Sequence, residues 1–163
     1  MSLNLRVIGV DPGVNYTGFG VIDRISKKNS LIEMGRISPS KKLNFYNKLH
    51  QIYRELTEVI GKFKPDIMAV EEAIYAQNVR TALMMGQARG IALLAGVNAE
   101  LDIYEYSPKK VKMSVVGNGA ASKEQVRFMV TRLLNLKTEP ESFDASDALA
   151  IAICHLNQNR YRE

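Results

Sequence analysis

Apolar and polar positions fall into blocks that change period along the chain. Leu5 to Val10 is a β-branched-rich apolar run ending at Asp11-Pro12-Gly13, a turn sequence. Thr17 to Ile25 and Leu31 to Ile37 read as two further strands, separated by the polar stretch Ser26 to Ser30. Three strands with short connections predict an antiparallel meander. The period then lengthens. Phe45, Leu49, Ile52, Leu56, Val59 and Phe63 recur at spacings of three and four, so they share one helix face, with Gly61 and Pro65 as stop signals.

Ile67 to Val70 is wholly apolar, as expected of a strand covered on both faces. Val79 to Val97 predicts a second helix rich in small residues (Ala82, Gly86, Ala88, Gly90, Ala92, Ala95, Gly96), which allow another helix to approach closely. Leu101 to Tyr106 makes a fifth strand, with Tyr104 and Tyr106 packing on one side. Ser122 opens a helix with a capping-box pattern completed by Gln125. A last helix begins near Asp144 and runs through Ala148 to Ile153. The order β-β-β-α-β-α-β-α-α describes an α/β protein: a ribonuclease H-like mixed five-stranded sheet flanked by helices.

A chain of 163 residues fits one domain, 1–163, and its 46% hydrophobic and 24% charged residues are ordinary for a globular protein. Apolar runs break well before the ~20 residues of a membrane span. Met1 to Asn4 has none of the length or hydrophobicity of a secretion signal, so a cytoplasmic protein without a membrane role is expected. One cysteine, Cys154, cannot build a disulfide or a thiolate metal site and reads as a core residue. His50 and His155 read as surface or core residues. The net charge of +5 permits nucleic-acid binding without establishing it. Its distribution says more. Between Lys109 and Lys137 seven basic residues face one acid, Glu124, and the remainder is close to neutral.

Four acids stand at element ends. Asp11 directly follows the first strand and Glu71 the fourth. If these strands are parallel neighbours, both carboxylates emerge at the carboxyl edge of the sheet, where open α/β folds place their sites. Asp144 and Asp147, three apart at a helix start, point to one side. Four converging carboxylates repel one another unless a cation neutralises them, and oxygen-only donors suit Mg²⁺ or Mn²⁺. Two such ions can activate a water and stabilise both oxygens of a phosphodiester under attack.

Each acid also has an ordinary explanation. Asp-Pro-Gly is a common turn, Glu71-Glu72 could be a solvated strand end, and Asp144 could cap its helix with Asp147 near the positive pole. Their joint placement favours a shared site.

The ordered set is specific. Gly9-Val10-Asp11-Pro12-Gly13 with Thr17-Gly18-Phe19-Gly20-Val21, then Ala69-Val70-Glu71-Glu72, Gly86-Gln87-Ala88-Arg89-Gly90 and Asp144-Ala145-Ser146-Asp147-Ala148-Leu149-Ala150, resembles the RuvC family of Holliday junction resolvases from about Leu5 to His155. The resemblance implies a metal-dependent endonuclease that acts as a homodimer on a four-way DNA junction. Each subunit would nick one of two symmetric strands to leave 5′-phosphate ends, beside the RuvA and RuvB branch-migration proteins. It implies catalytic, metal-binding roles for Asp11, Glu71, Asp144 and Asp147; their oxygen-only donors make Mg²⁺ the expected cofactor, with Mn²⁺ as a substitute and two ions per site.

It also implies DNA-binding roles for Lys112 and Lys123. Many relatives carry a junction-stacking phenylalanine where this chain has Ile74, so Ile74 or the adjacent Tyr75 is the expected wedge. Asn78 and Arg89 complete the expected DNA-binding set, although Asn78 could simply cap the next helix. Gly117-Asn118-Gly119 and the helix start at Ser122 could bring backbone amides to a phosphate, or be an ordinary loop and cap. Two other readings compete. An actin-like ATPase could open on Asp11-Pro12-Gly13, but no second phosphate loop or adenosine motif follows. A catalytically silent junction-binding module would not need all four acids.

Overall fold

A computed structural model describes residues 4–72 and 77–158. Five strands, β1 (Asn4–Asp11), β2 (Thr17–Ile25), β3 (Lys28–Ile37), β4 (Ile67–Glu71) and β5 (Asp102–Tyr106), form one sheet in the order β3-β2-β1-β4-β5. The first three pair antiparallel, whereas β4 is parallel to both β1 and β5. The mixed five-stranded sheet is therefore as expected, and the adjacency of β1 and β4 is the one on which convergence of Asp11 and Glu71 depends.

Side chains alternate across the sheet, which separates two cores. Ile8, Val10, Val21, Met68 and Val70 pack beneath α1 (Phe45–Phe63) and α2 (Val79–Asn98). Val7, Ile22, Ile67 and Ala69 face α5 (Phe143–Leu156), which is in turn covered by α3 (Pro108–Val116) and α4 (Lys123–Leu133). Every residue of α5 from Ala148 to Leu156 is essentially inaccessible, as its apolar composition on all sides requires. Tyr104 and Tyr106 share this face and flank the buried His155, whose Nδ1 lies 2.6 Å from the Tyr106 hydroxyl. Cys154 is buried and forms no disulfide.

Three local differences from the sequence reading have physical causes. Ser26 and Lys27 both take positive φ (49° and 71°), closing a two-residue hairpin of the kind that fits strand twist, so β3 begins at Lys28 instead of Leu31. Gly61 lies inside α1; the helix ends at Lys64, whose φ of 48° breaks the helical run just before Pro65. A helix not expected from the pattern, α3, follows β5. Ser107 caps it by accepting from the Lys110 amide at 3.2 Å, Pro108 occupies its first turn, and Gly117 (φ 84°) ends it. Among the described residues no helix is long and apolar enough to cross a membrane.

Candidate active site

Two close approaches seat α5 against the sheet. A Cβ at Gly9 would lie 2.0 Å from the carbonyl oxygen of Ala148, and one at Gly18 would lie 2.0 Å from that of Asp144. Only glycine permits this contact, and it brings the first turns of α5 over the ends of β1 and β2. Ser142 is the N-cap, accepting from the Ala145 amide at 3.1 Å, so Asp144 is not needed as a cap.

Register carries the remaining acids to the same place. Val10 pairs with Val70, so Asp11 and Glu71 are the next residues on adjacent parallel strands and point to the α5 face. Asp11, Glu71 and Asp147 line one cleft of about 300 Å³, with Lys112 from α3 and Lys123 from α4 on its rim. The Lys123 ammonium is 3.8 Å from an Asp147 oxygen. The electrostatics match a crowded acidic centre. Burial, reinforced by Glu71, Asp147 and Asp144, pushes the Asp11 carboxyl up to about 8. Burial and Asp147 raise Glu71, and burial and Asp144 raise Asp147, with both lysines opposing the rise in each case.

Among the described residues no three acids, histidines or cysteines already stand in ligand geometry about one point. The donor set nonetheless fits a hard divalent cation. It contains only carboxylate oxygens, and their mutual repulsion is what such an ion would relieve.

The residues expected to contact DNA stand in different settings. Lys112 and Lys123 do stand at the acid cleft. The side-chain oxygen of Asn78 accepts from the Thr81 amide at 3.1 Å, capping α2. Arg89 is turned inward: its Nη2 is 2.6 Å from Glu105 and its Nε donates to the Glu71 carbonyl at 3.1 Å, tying α2 to β4 and β5. The Ser122 and Gln125 amides are engaged by their own capping box, and the Asn118 side chain accepts from Ala120. Ile74 and Tyr75 lie outside the described residues. Sequence reasoning passed over Arg36, which also borders the acids, and Tyr16, which packs against it. Arg36 Nη1 is 3.6 Å from Asp144, and its guanidinium sits 4.1 Å from the centre of the Tyr16 ring.

The family model described as "Crossover junction endodeoxyribonuclease RuvC" matches residues 7–155. The chain belongs to the RuvC family. RuvC of Geobacter metallireducens is 48% identical over 94% of this chain and 93% of its own length. RuvC of Vibrio parahaemolyticus is 44% identical over 94% and 88%. Among solved structures, Thermus thermophilus RuvC in complex with Holliday junction substrate superposes with a TM-score of 0.86 at 34% identity, covering 93% of this chain and 92% of that one. The yeast mitochondrial Holliday junction resolvase shares the fold at a TM-score of 0.66 and 14% identity, covering 91% of this chain and 76% of that one. RuvC membership and the sheet order agree with the ribonuclease H-like expectation.

Proposed function

We propose that this chain, a single nuclease domain, resolves four-way DNA junctions in recombination and repair by hydrolysing phosphodiesters in two symmetric strands. The observation that carries this reading is the placement of four acids from three elements at one sheet edge, in a chain of the RuvC family. Asp11, Glu71, Asp144 and Asp147 hold the metal, Mg²⁺ with Mn²⁺ as substitute, at two ions per site. Divalent ions held there would supply activation of a water and neutralisation of the charge that develops on the phosphodiester. The chain's own residues orient the strand: Lys112 and Lys123 draw a phosphate toward the carboxylates from the α3 and α4 side, and the packed α5 turn fixes Asp144 and Asp147. Family membership answers the ATPase alternative, and the retained acids argue against a silent binding module. The same membership supports RuvA and RuvB as partners and a cytoplasmic setting.

Incubation of the pure protein with a synthetic four-way junction and Mg²⁺ is expected to give paired nicks with 5′-phosphate ends; intact junctions would overturn the reading. Lys112→Ala and Lys123→Ala are each expected to weaken binding alike for different sequences and to lower the salt slope by about one. An unchanged slope would place that lysine away from the backbone.

Two nicks require two matching sites, which an isologous dimer provides. Val79, Leu83, Leu94 and Val97 of α2 are exposed, by 72%, 65%, 47% and 60%. At 100° per residue they form one stripe with Gly86 and Gly90, beside which a Cβ would meet open space. The inward small residues serve the monomer instead: Ala88, Ala92 and Ala95 are buried, and Gly96 is set against Met68. Sedimentation at micromolar concentration is expected to show a dimer, dissociated by Leu83→Glu. A fully active monomer would contradict this assignment.

A further inference from the structure

The acid centre is flanked by cations on two sides, and the DNA-binding expectation accounts for only one of them. Lys112 and Lys123 approach from α3 and α4. On the opposite side stands Arg36. Its position follows from register: Asp11 pairs with Gly18 and Gly18 pairs with Arg36, so the three occupy one row across β1, β2 and β3. Directly opposed residues share a face. At ~4.8 Å per strand, Arg36 starts roughly two strand spacings from Asp11. Gly18 between them has no side chain, and the arginine lies beside the first turn of α5.

The other arginines associated with the sheet are committed internally. Arg6 makes a two-pronged pair with Asp23 and donates to the Phe63 carbonyl. Arg24 donates to the Leu156 carbonyl. Arg89 is divided between Glu105 and Glu71. Arg36 differs. Among the described residues its guanidinium makes no hydrogen bond, and its ion pair with Asp144, at 3.6 Å, is beyond hydrogen-bond length. Its side chain is 39% exposed. The Tyr16 ring, itself 41% exposed, backs the planar group at 4.1 Å and holds it in one orientation without consuming its N–H donors. A preoriented fork with free donors beside an anion-processing centre suits bidentate phosphate recognition.

We propose that Arg36, backed by Tyr16, binds the DNA backbone at a phosphate neighbouring the scissile one, on the side of the acids opposite Lys112 and Lys123. The strand is thereby held from both flanks while the carboxylates sit beneath the bond to be cut. The inference rests on the nuclease reading, and the pairing with Asp144 is the resting contact that a phosphate replaces.

The test is binding of a fluorescein-labelled synthetic four-way junction in EDTA, titrated across salt concentrations, for wild type, Arg36→Gln, Arg36→Lys and Tyr16→Ala. Arg36→Gln is expected to lower the slope of log K against log salt by about one, the loss of one phosphate contact. Arg36→Lys should retain the slope because it retains the charge. Tyr16→Ala should weaken binding severalfold with the slope kept. A methylphosphonate in place of the contacted phosphate should weaken the wild type and leave Arg36→Gln unaffected. If Arg36 were only an internal partner of Asp144, Arg36→Gln would change thermal stability but not the salt slope, and the proposal would fall. Should the wild type neither bind nor cut the junction, the nuclease reading fails and takes this inference with it. If the wild type binds and cuts while the Arg36→Gln slope is normal, this inference alone fails.

Discussion

Asp11→Asn is expected to lower junction cleavage by about a hundredfold or more, the scale of losing one charge-stabilising group from a dry site, while junction binding without metal persists. On the proposed reading the carboxylates hold the metal, whereas affinity for the uncut junction comes from cations meeting phosphates. The same substitution carries a stability signature. In the metal-free fold the Asp11 carboxyl is raised from 3.8 to about 8 by burial and its acidic neighbours. The folded chain therefore keeps a proton that the unfolded chain releases near pH 4. Stability from that proton is complete below the unfolded value and is lost as pH rises through the window up to about 8.

Asparagine carries no such dependence. In EDTA, Asp11→Asn is thus expected to exceed wild type at pH 8 by about 0.5–2 kcal/mol, the usual gain from relieving a strained functional group, with the gap closing toward pH 4. Thermal melts across that range and single-turnover cleavage in Mg²⁺ check both halves. Wild-type turnover by Asp11→Asn would remove it from the catalytic set. A stability gap independent of pH would show that its carboxyl does not titrate in that window. Glu71→Gln and Asp144→Asn should also abolish cleavage. Asp147→Asn should follow with a smaller loss, because a ligand on the second helical turn can be replaced by water.

What could be read from the chain depended on whether the information was local. The face of α1 was legible because Ile52 and Leu56, both fully buried, sit in an unbroken three-and-four pattern. The α5 run was legible because a helix buried on every side carries no competing polar signal. Helix α3 was not. Only Val111 and Val115 are buried in it, and three lysines with Met113 and Val116 blur that single pair. Its Ser107-Pro108 start and Gly117 stop were the available signals. The polar start of β3 was also hidden, because an edge strand with exposed residues has no apolar alternation to show.

The acids themselves were legible because Asp11 and Glu71 end predictable strands and Asp144 and Asp147 open a predictable helix. The cations were only partly so. Whether Arg89 points to solvent or to Glu105 depends on how α2 is rotated against the sheet, which no local pattern contains. The approach of Arg36 to Asp144 is set by two successive strand registers, 25 residues of chain after Asp11 and far from α5 in sequence. Ordered motifs of the RuvC family supplied the convergence of the acids, which spacing alone left open.

Gly18→Ala tests whether close seating of α5 is what makes the acids a site. The added methyl would stand 2.0 Å from the Asp144 carbonyl oxygen and 2.4 Å from its carbon, both backbone atoms with no rotamer to yield. Relief requires the first turn of α5 to lift from β2, carrying Asp144 and Asp147 away from Asp11 and Glu71. Overpacking of this kind costs about 1–3 kcal/mol, and a misplacement near 1 Å at a reacting centre costs about a hundredfold in rate. The expected result is therefore a folded, moderately destabilised protein whose cleavage rate falls much further than its stability explains. Gly61→Ala is the matched control. It adds the same methyl within α1 where nothing lies within 4 Å, and should raise stability by about 0.5–1 kcal/mol without affecting cleavage. Rates are to be compared at a temperature where circular dichroism shows both variants fully folded. If Gly18→Ala then cuts junctions at the wild-type rate, the approach of α5 to β2 does not set the position of Asp144. If its loss of rate only tracks a fraction unfolded, the glycine serves packing and not the geometry of the acids. A large rate loss with full folding, and Mg²⁺ affinity weakened in parallel, would place the origin of the site in the contact between a glycine on β2 and a helix more than a hundred residues later.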